Sequence, residues 1–166
     1  MDKILVIPAL AEYRWIFKTL ESLRSADGYG ESRIIVVLNN SENSPRHIYK
    51  DNLETWNILK SDYPEVELID NFNPGKAYQN KKKGVGLARR NGFIHGLKDQ
   101  NSPALCYSLD ADTLVEKNYF KAVAQKFNEP HTVGVTIDTW HQLPDNPKLR
   151  TAIVNYELYL TCHYRC

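Results

Sequence analysis

No apolar run in this 166-residue chain approaches the ~20 residues that a membrane-spanning helix needs. Nor is either charge in excess: 21 Lys and Arg stand against 20 Asp and Glu, a formal net charge of +1. That balance gives no global electrostatic drive toward nucleic acid or acidic membranes, so no nucleic acid partner is expected. Cysteine is scarce. Cys106, Cys162 and Cys166 are too few, and odd in number, for a disulfide framework, which fits a reducing compartment. Met1-Asp2-Lys3 leads directly into a strand-like run, so no signal peptide is expected. These absences predict a cytoplasmic protein, with peripheral association at the inner membrane face left open. With 42% hydrophobic residues and no internal repeat, residues 1–166 read as a single domain able to bury a core.

Ile4-Leu5-Val6-Ile7 reads as a buried first strand, stopped at Pro8 because proline lacks a backbone donor. The turn that follows, Ala9-Leu10-Ala11-Glu12, has no glycine, which argues against a Rossmann dinucleotide fingerprint. Apolar residues at Ile16, Phe17, Leu20 and Leu23 predict a helix over Tyr13–Ser25. Arg33 to Leu38 is the strongest strand pattern, and it ends on the turn formers Asn39-Asn40-Ser41. A helix from about Ile48 to Lys60, a short strand at Val66–Ile69 and a polar, basic loop from Asn71 to Lys83 follow. Gly84, Ala88, Gly92 and Gly96 recur at every fourth position, one small-residue stripe on a helix from Gly84 to Leu97. Glycine is unfavourable inside a helix, so four small positions in register imply close backbone packing. A helix over Lys117–Phe127, a strand at Thr132–Ile137 and a terminal helix from Leu149 to Arg165 complete the expectation. Strand and helix alternation on this scale predicts a three-layer α/β/α sandwich around a mainly parallel sheet. Ligands in such sheets sit outside the carboxyl ends of the strands.

One stretch carries the chemistry. Leu105-Cys106-Tyr107-Ser108-Leu109 is a short apolar run suited to a buried strand, and it runs into Asp110-Ala111-Asp112. With Leu109 facing a core, Asp110 and Asp112 share the opposite face, because side chains alternate along a strand. Two hard oxygen ligands there suit Mg²⁺ or Mn²⁺, which keeps waters and completes its shell with substrate phosphates. An Asx turn with solvated aspartates is the alternative. Asp110-Ala111-Asp112-Thr113 also echoes the nucleophile loop of haloacid-dehalogenase-type phosphatases, although the threonine comes one residue early. Asn73-Pro74-Gly75-Lys76 lacks the upstream glycine of a phosphate loop and reads as a turn. Lys81-Lys82-Lys83 reads first as a solvated charge run. Cys162-His163 with Cys166 lacks the second cluster that a closed zinc site requires.

Ile7-Pro8-Ala9 with Glu12, Val36-Val37-Leu38-Asn39-Asn40-Ser41, Gly86 to Gly92 and Leu109-Asp110-Ala111-Asp112 occur in that order. Together they resemble the nucleotide-sugar half of inverting family 2 glycosyltransferases, of GT-A fold, from Ile4 to about Thr139. The resemblance implies transfer of a sugar from a UDP- or GDP-sugar to a glycan, lipid or protein acceptor. Pro8, Ala9 and Glu12 would lie along the nucleotide, and Asn39 or Asn40 would contact base or ribose where the family usually has aspartate. Arg89 or Lys83 would sit near the base or the phosphates. Asp110, Ala111 and Asp112 would form the DxD motif at the diphosphate, its two aspartates holding the metal. The family's catalytic base is an acidic residue beyond the matched segment, so no catalytic residue is assigned. Asp138 is the one acidic residue there at a predicted strand end, and it is not taken as that base. The acceptor half is expected to be incomplete or missing after residue 140. A non-catalytic nucleotide-diphosphate-binding module is the remaining alternative, and self-association is expected through the terminal aromatic stripe.

Overall fold

The computed structural model describes residues 1–79, 84–98 and 100–164. The chain divides into two compact units, Met1–Pro130 and His131–Cys166. The first holds a four-stranded, all-parallel sheet in the order β3-β2-β1-β4. Its strands are β1 (Asp2–Ala9), β2 (Ser32–Asn39), β3 (Glu67–Asn71) and β4 (Ala104–Ser108). Helices α1 (Tyr13–Arg24), α2 (Arg46–Asp62), α3 (Val85–Leu97) and α4 (Tyr119–Lys126) connect and cover them.

The central strands are continuously apolar because both of their faces are covered. Leu5, Ile7, Ile34, Val36 and Leu38 point to one face, where α1 contributes Ile16, Leu20 and Leu23, α2 Leu59, and α4 Tyr119 and Phe120. Ile4, Val6, Ile35 and Val37 point to the other, against Ala88, Leu87 and Phe93 of α3. The small-residue stripe explains how α3 reaches the sheet. A Cβ on Gly96 would stand 2.7 Å from Ile4 Cγ2, and one on Gly92 would collide with Val6 Cγ1. Gly84 is not part of that contact. It lies before the helix at φ +118°, backbone that side chains rarely adopt, with open space around it.

Three expectations need correction. Pro8 does not stop β1, which continues to Ala9 with Pro8 registered against Val37. The Val6 carbonyl faces β4, where it accepts the Leu109 N–H, so the Pro8 nitrogen two residues on faces the same way. The β1–β4 register ends at Val6 and Ser108, so no partner there requires the missing donor. β4 is an edge strand rather than a buried one: Leu105 and Tyr107 are buried while Cys106 and Ser108 are exposed. Finally, Thr132–Ile137 is not a strand. It joins no ladder among the described residues, and Val133 is 95% exposed. Alternating hydrophobicity alone cannot hold an extended segment that has no neighbour to pair with.

The second unit consists of that irregular segment and α5 (Pro147–Tyr164). Within it, His141 ties the preceding loop to the helix: its backbone N–H donates to Glu157 Oε1 at 2.7 Å, and its ring Nδ1 lies 2.5 Å from the same oxygen. These contacts hold the Glu157 carboxyl below its ordinary pKa. Leu149, Tyr156, Leu158 and Tyr159 of α5 are exposed. No helix among the described residues is long and apolar enough to cross a membrane.

Candidate functional site

Beyond the carboxyl ends of the strands the chain opens a cleft of about 590 Å³. The ends of β1 and β2 and the turn after β4 form its walls, which is where a parallel sheet leaves strand termini uncovered. Pro8, Glu12, Asn39, Asn40, Asp110, Ala111 and Asp112 all line it. Of the other residues singled out above, Ala9 is buried behind the wall, and Lys83 lies outside the described residues. Arg89 does not line the cleft but reaches it: its Nη2 stands 2.5 Å from Asp110 Oδ1. The guanidinium nitrogen on the chain side, Nε, is buried and has no hydrogen-bond partner among the described residues.

The turn after β4 keeps the alternation of the strand. Leu109 and Ala111 are buried, Asp110 and Asp112 exposed, so both carboxylates stand on the open side. Glu12 brings a third acid near them. Burial, then the charges of Asp112, Asp51 and Asp110, raise its pKa above the ordinary carboxyl value. Three carboxyl groups thus gather at this end of the cleft, with Arg89 beside Asp110 as the cation paired with one of them. Among the described residues no three of His, Cys, Asp and Glu gather into a metal site. Two carboxylates without a third ligand would suit only a hard cation that drew its remaining oxygens from a ligand and water, and they do not make a closed protein cage.

The amides at the end of β2 have separate tasks. Asn39 Nδ2 donates to the Ala9 carbonyl at 3.1 Å and joins β1 to β2. Asn40 is fixed through its backbone, its N–H donating to the Asn71 carbonyl and its carbonyl accepting the Tyr78 N–H. The residue is 4% exposed, and its Oδ1 has no hydrogen-bond partner among the described residues although Asn40 borders the cleft. A buried acceptor left unpaired is costly, and a ligand donor would satisfy it.

Sequence reasoning missed the residues that hold these walls. Asn52 of α2, 1% exposed, accepts the Ala11 N–H at 2.9 Å and donates to the Asn39 carbonyl at 3.0 Å. Asp51 accepts the Tyr13 N–H at the start of α1. Ala11 is held at φ +56° between them, unusual for a residue with a Cβ. A signal was present: Asn52 and Thr55 share the buried face of α2 with Leu59, polar residues in register with an apolar stripe. Ser41, Ser44 and Tyr78 also line the cleft, with Tyr78 brought alongside Ser41 by an isolated parallel bridge. That closure comes from the loop after β3, where no local pattern announces it.

The family described as Glycosyl transferase family 2 matches residues 4–161. No curated protein sequence matches the chain. Among solved structures, TarS of S. aureus, residues 1–349 in complex with UDP-GlcNAc, is similar with a TM-score of 0.50 and 20% identity. That alignment covers 84% of this chain and 37% of the TarS chain. The same TarS segment in complex with UDP aligns with the same score and identity, covering 38% of that chain. At such identity the likeness concerns the fold alone, and this chain spans well under half the length of those structures.

Proposed function

Because the chain belongs to glycosyl transferase family 2, we propose that its first unit binds the nucleotide-sugar donor of a sugar transfer in the cleft at the strand ends. What carries this reading is the gathering of Pro8, Glu12, Asn39, Asn40 and Asp110 to Asp112, far apart in sequence, around one opening. Asn40 offers its unpaired Oδ1 to an N–H or O–H of base or ribose, while Asn39 serves the wall through Ala9. Arg89, beside Asp110, supplies a planar cation suited to phosphate oxygens. Asp110 and Asp112 would hold a divalent cation, Mn²⁺ or Mg²⁺, which supplies positive charge against that developing on the departing nucleoside diphosphate. Without a cation Asp110 and Asp112 would repel the diphosphate, so of these residues Arg89 is the one whose own charge attracts it. Transfer to a glycan, lipid or protein acceptor is proposed for the whole protein, and none of the described residues is assigned as the base. Self-association through the exposed apolar residues of α5 belongs to the same proposal and is read by sedimentation velocity.

The similar structures make UDP the first probe and GDP its comparison. Calorimetric titration of both, with and without Mn²⁺, should give saturable binding that is tightest with the metal. Asp112→Ala should remove the metal-dependent part. A wild-type chain that takes neither nucleotide in Mn²⁺ would sink the donor-site reading. Binding without transfer by a longer chain would leave a nucleotide-binding module in its place.

A further inference from the structure

The buried face of α1 is apolar at Ile16, Leu20 and Leu23, with one exception, Thr19. Thr19 is fully buried, and its hydroxyl donates at 2.7 Å to the carbonyl of Ala111, the residue between the two cleft carboxylates. One turn on, Ser22 Oγ donates to the Thr19 carbonyl at 2.8 Å and accepts the Val115 N–H at 3.2 Å. The segment is also pinned upstream, where the Leu109 N–H donates to the Val6 carbonyl. The turn bearing Asp110 and Asp112 is thus tied at its entrance, its middle and its exit, and two of these ties come from hydroxyls of a helix far earlier in the chain. Valine would match Thr19 in outline but would leave the buried Ala111 carbonyl without this donor, so the hydroxyl serves that carbonyl and not the packing of the helix face.

We propose that Thr19, supported by Ser22, is a positioning residue that sets the orientation of the Asp110–Asp112 turn for cation and diphosphate binding. This rests on the donor-site reading above. The tie holds the Ala111 carbonyl against α1, so its negative end is kept from the anionic ligand. The peptide plane is rigid, so fixing that carbonyl limits how far the carboxylates on either side can drift apart. Groups that orient metal ligands from behind characteristically change affinity without touching the ligand.

The test is calorimetric titration of UDP, with and without Mn²⁺, on the wild-type chain, Thr19→Val, Thr19→Ser and Ser22→Ala, each first shown to be folded by circular dichroism. Thr19→Val should weaken binding in Mn²⁺ by about tenfold, as loss of such a partner typically does, while leaving metal-free binding unchanged. Thr19→Ser, which keeps the hydroxyl, should restore it. Ser22→Ala should move in the same direction by a smaller factor, and it carries the test if Thr19→Val fails to fold. A wild type that binds while Thr19→Val, or in its place Ser22→Ala, binds equally well in Mn²⁺ overturns the tie alone. Equal weakening with and without metal overturns it as well, since that is a general structural effect. A wild type that takes no UDP in Mn²⁺ overturns the donor-site reading and this inference with it.

Discussion

At the scale of single residues the walls of the cleft depend on side-chain amides bonded to backbone groups. Asn52 uses both ends of its side chain, one on the Ala11 N–H and one on the Asn39 carbonyl. Asn52→Leu would take their side-chain partner from the half-buried Ala11 N–H and the buried Asn39 carbonyl, so it should destabilise the protein by about 2–4 kcal/mol, measured by urea denaturation. Glu12 shows the opposite balance. Its pKa is raised, so the folded protein holds that proton more tightly than the unfolded chain does. The stability this contributes is present below the ordinary value of 4.5 and is lost as pH rises through the raised one. Glu12→Gln should accordingly raise the melting temperature near neutral pH, and the gain should shrink to nothing as the pH falls below 4.5. An acid kept at a cost to stability is what a binding site requires and a packing role does not.

At the scale of elements, α3 is the informative one. Its glycines admit the helix to the sheet closely enough for Arg89 to meet Asp110. Gly92→Ala should cost about 1–3 kcal/mol, because Val6 on a central strand cannot move aside, and should weaken UDP binding by displacing Arg89. Gly86→Ala, in the same helix but with open space around it, should instead stabilise by up to about 1 kcal/mol. Thermal denaturation of the two variants side by side checks the contrast. Helix α3 was legible in the sequence because its requirement is local: a helix that lies close against a sheet needs a small residue at every fourth position. The expected strand at Thr132–Ile137 fails for the converse reason. Its alternation is as regular as that of a strand, but a strand exists only by its partner, and no window of sequence contains the partner.

At the scale of the whole molecule, both cores and every cleft-lining residue belong to the first unit. Residues 1–130 expressed alone should therefore unfold cooperatively in denaturant and bind UDP with Mn²⁺ as tightly as the full chain. A soluble but uncooperative fragment would show that the second unit is needed for folding. The apolar runs that became the four strands, the spacing of the covering helices and the carboxylate pair were legible in the sequence itself, because each is written in neighbouring residues, whereas which runs find a pairing partner is not. Which polar groups are spent on structure and which remain for a ligand was decided only in three dimensions. Asn39 and Asn40 are identical side chains one position apart, yet one is bonded to Ala9 and the other has an oxygen at the cleft without a partner among the described residues. Thr19 and Asn52 are ordinary helix residues in sequence, and they acquire their roles from Ala111, ninety-two positions away, and from Ala11, forty-one positions away. Hydrogen-bond satisfaction is a property of what the fold brings within 3 Å, and the chain order of these residues does not contain it.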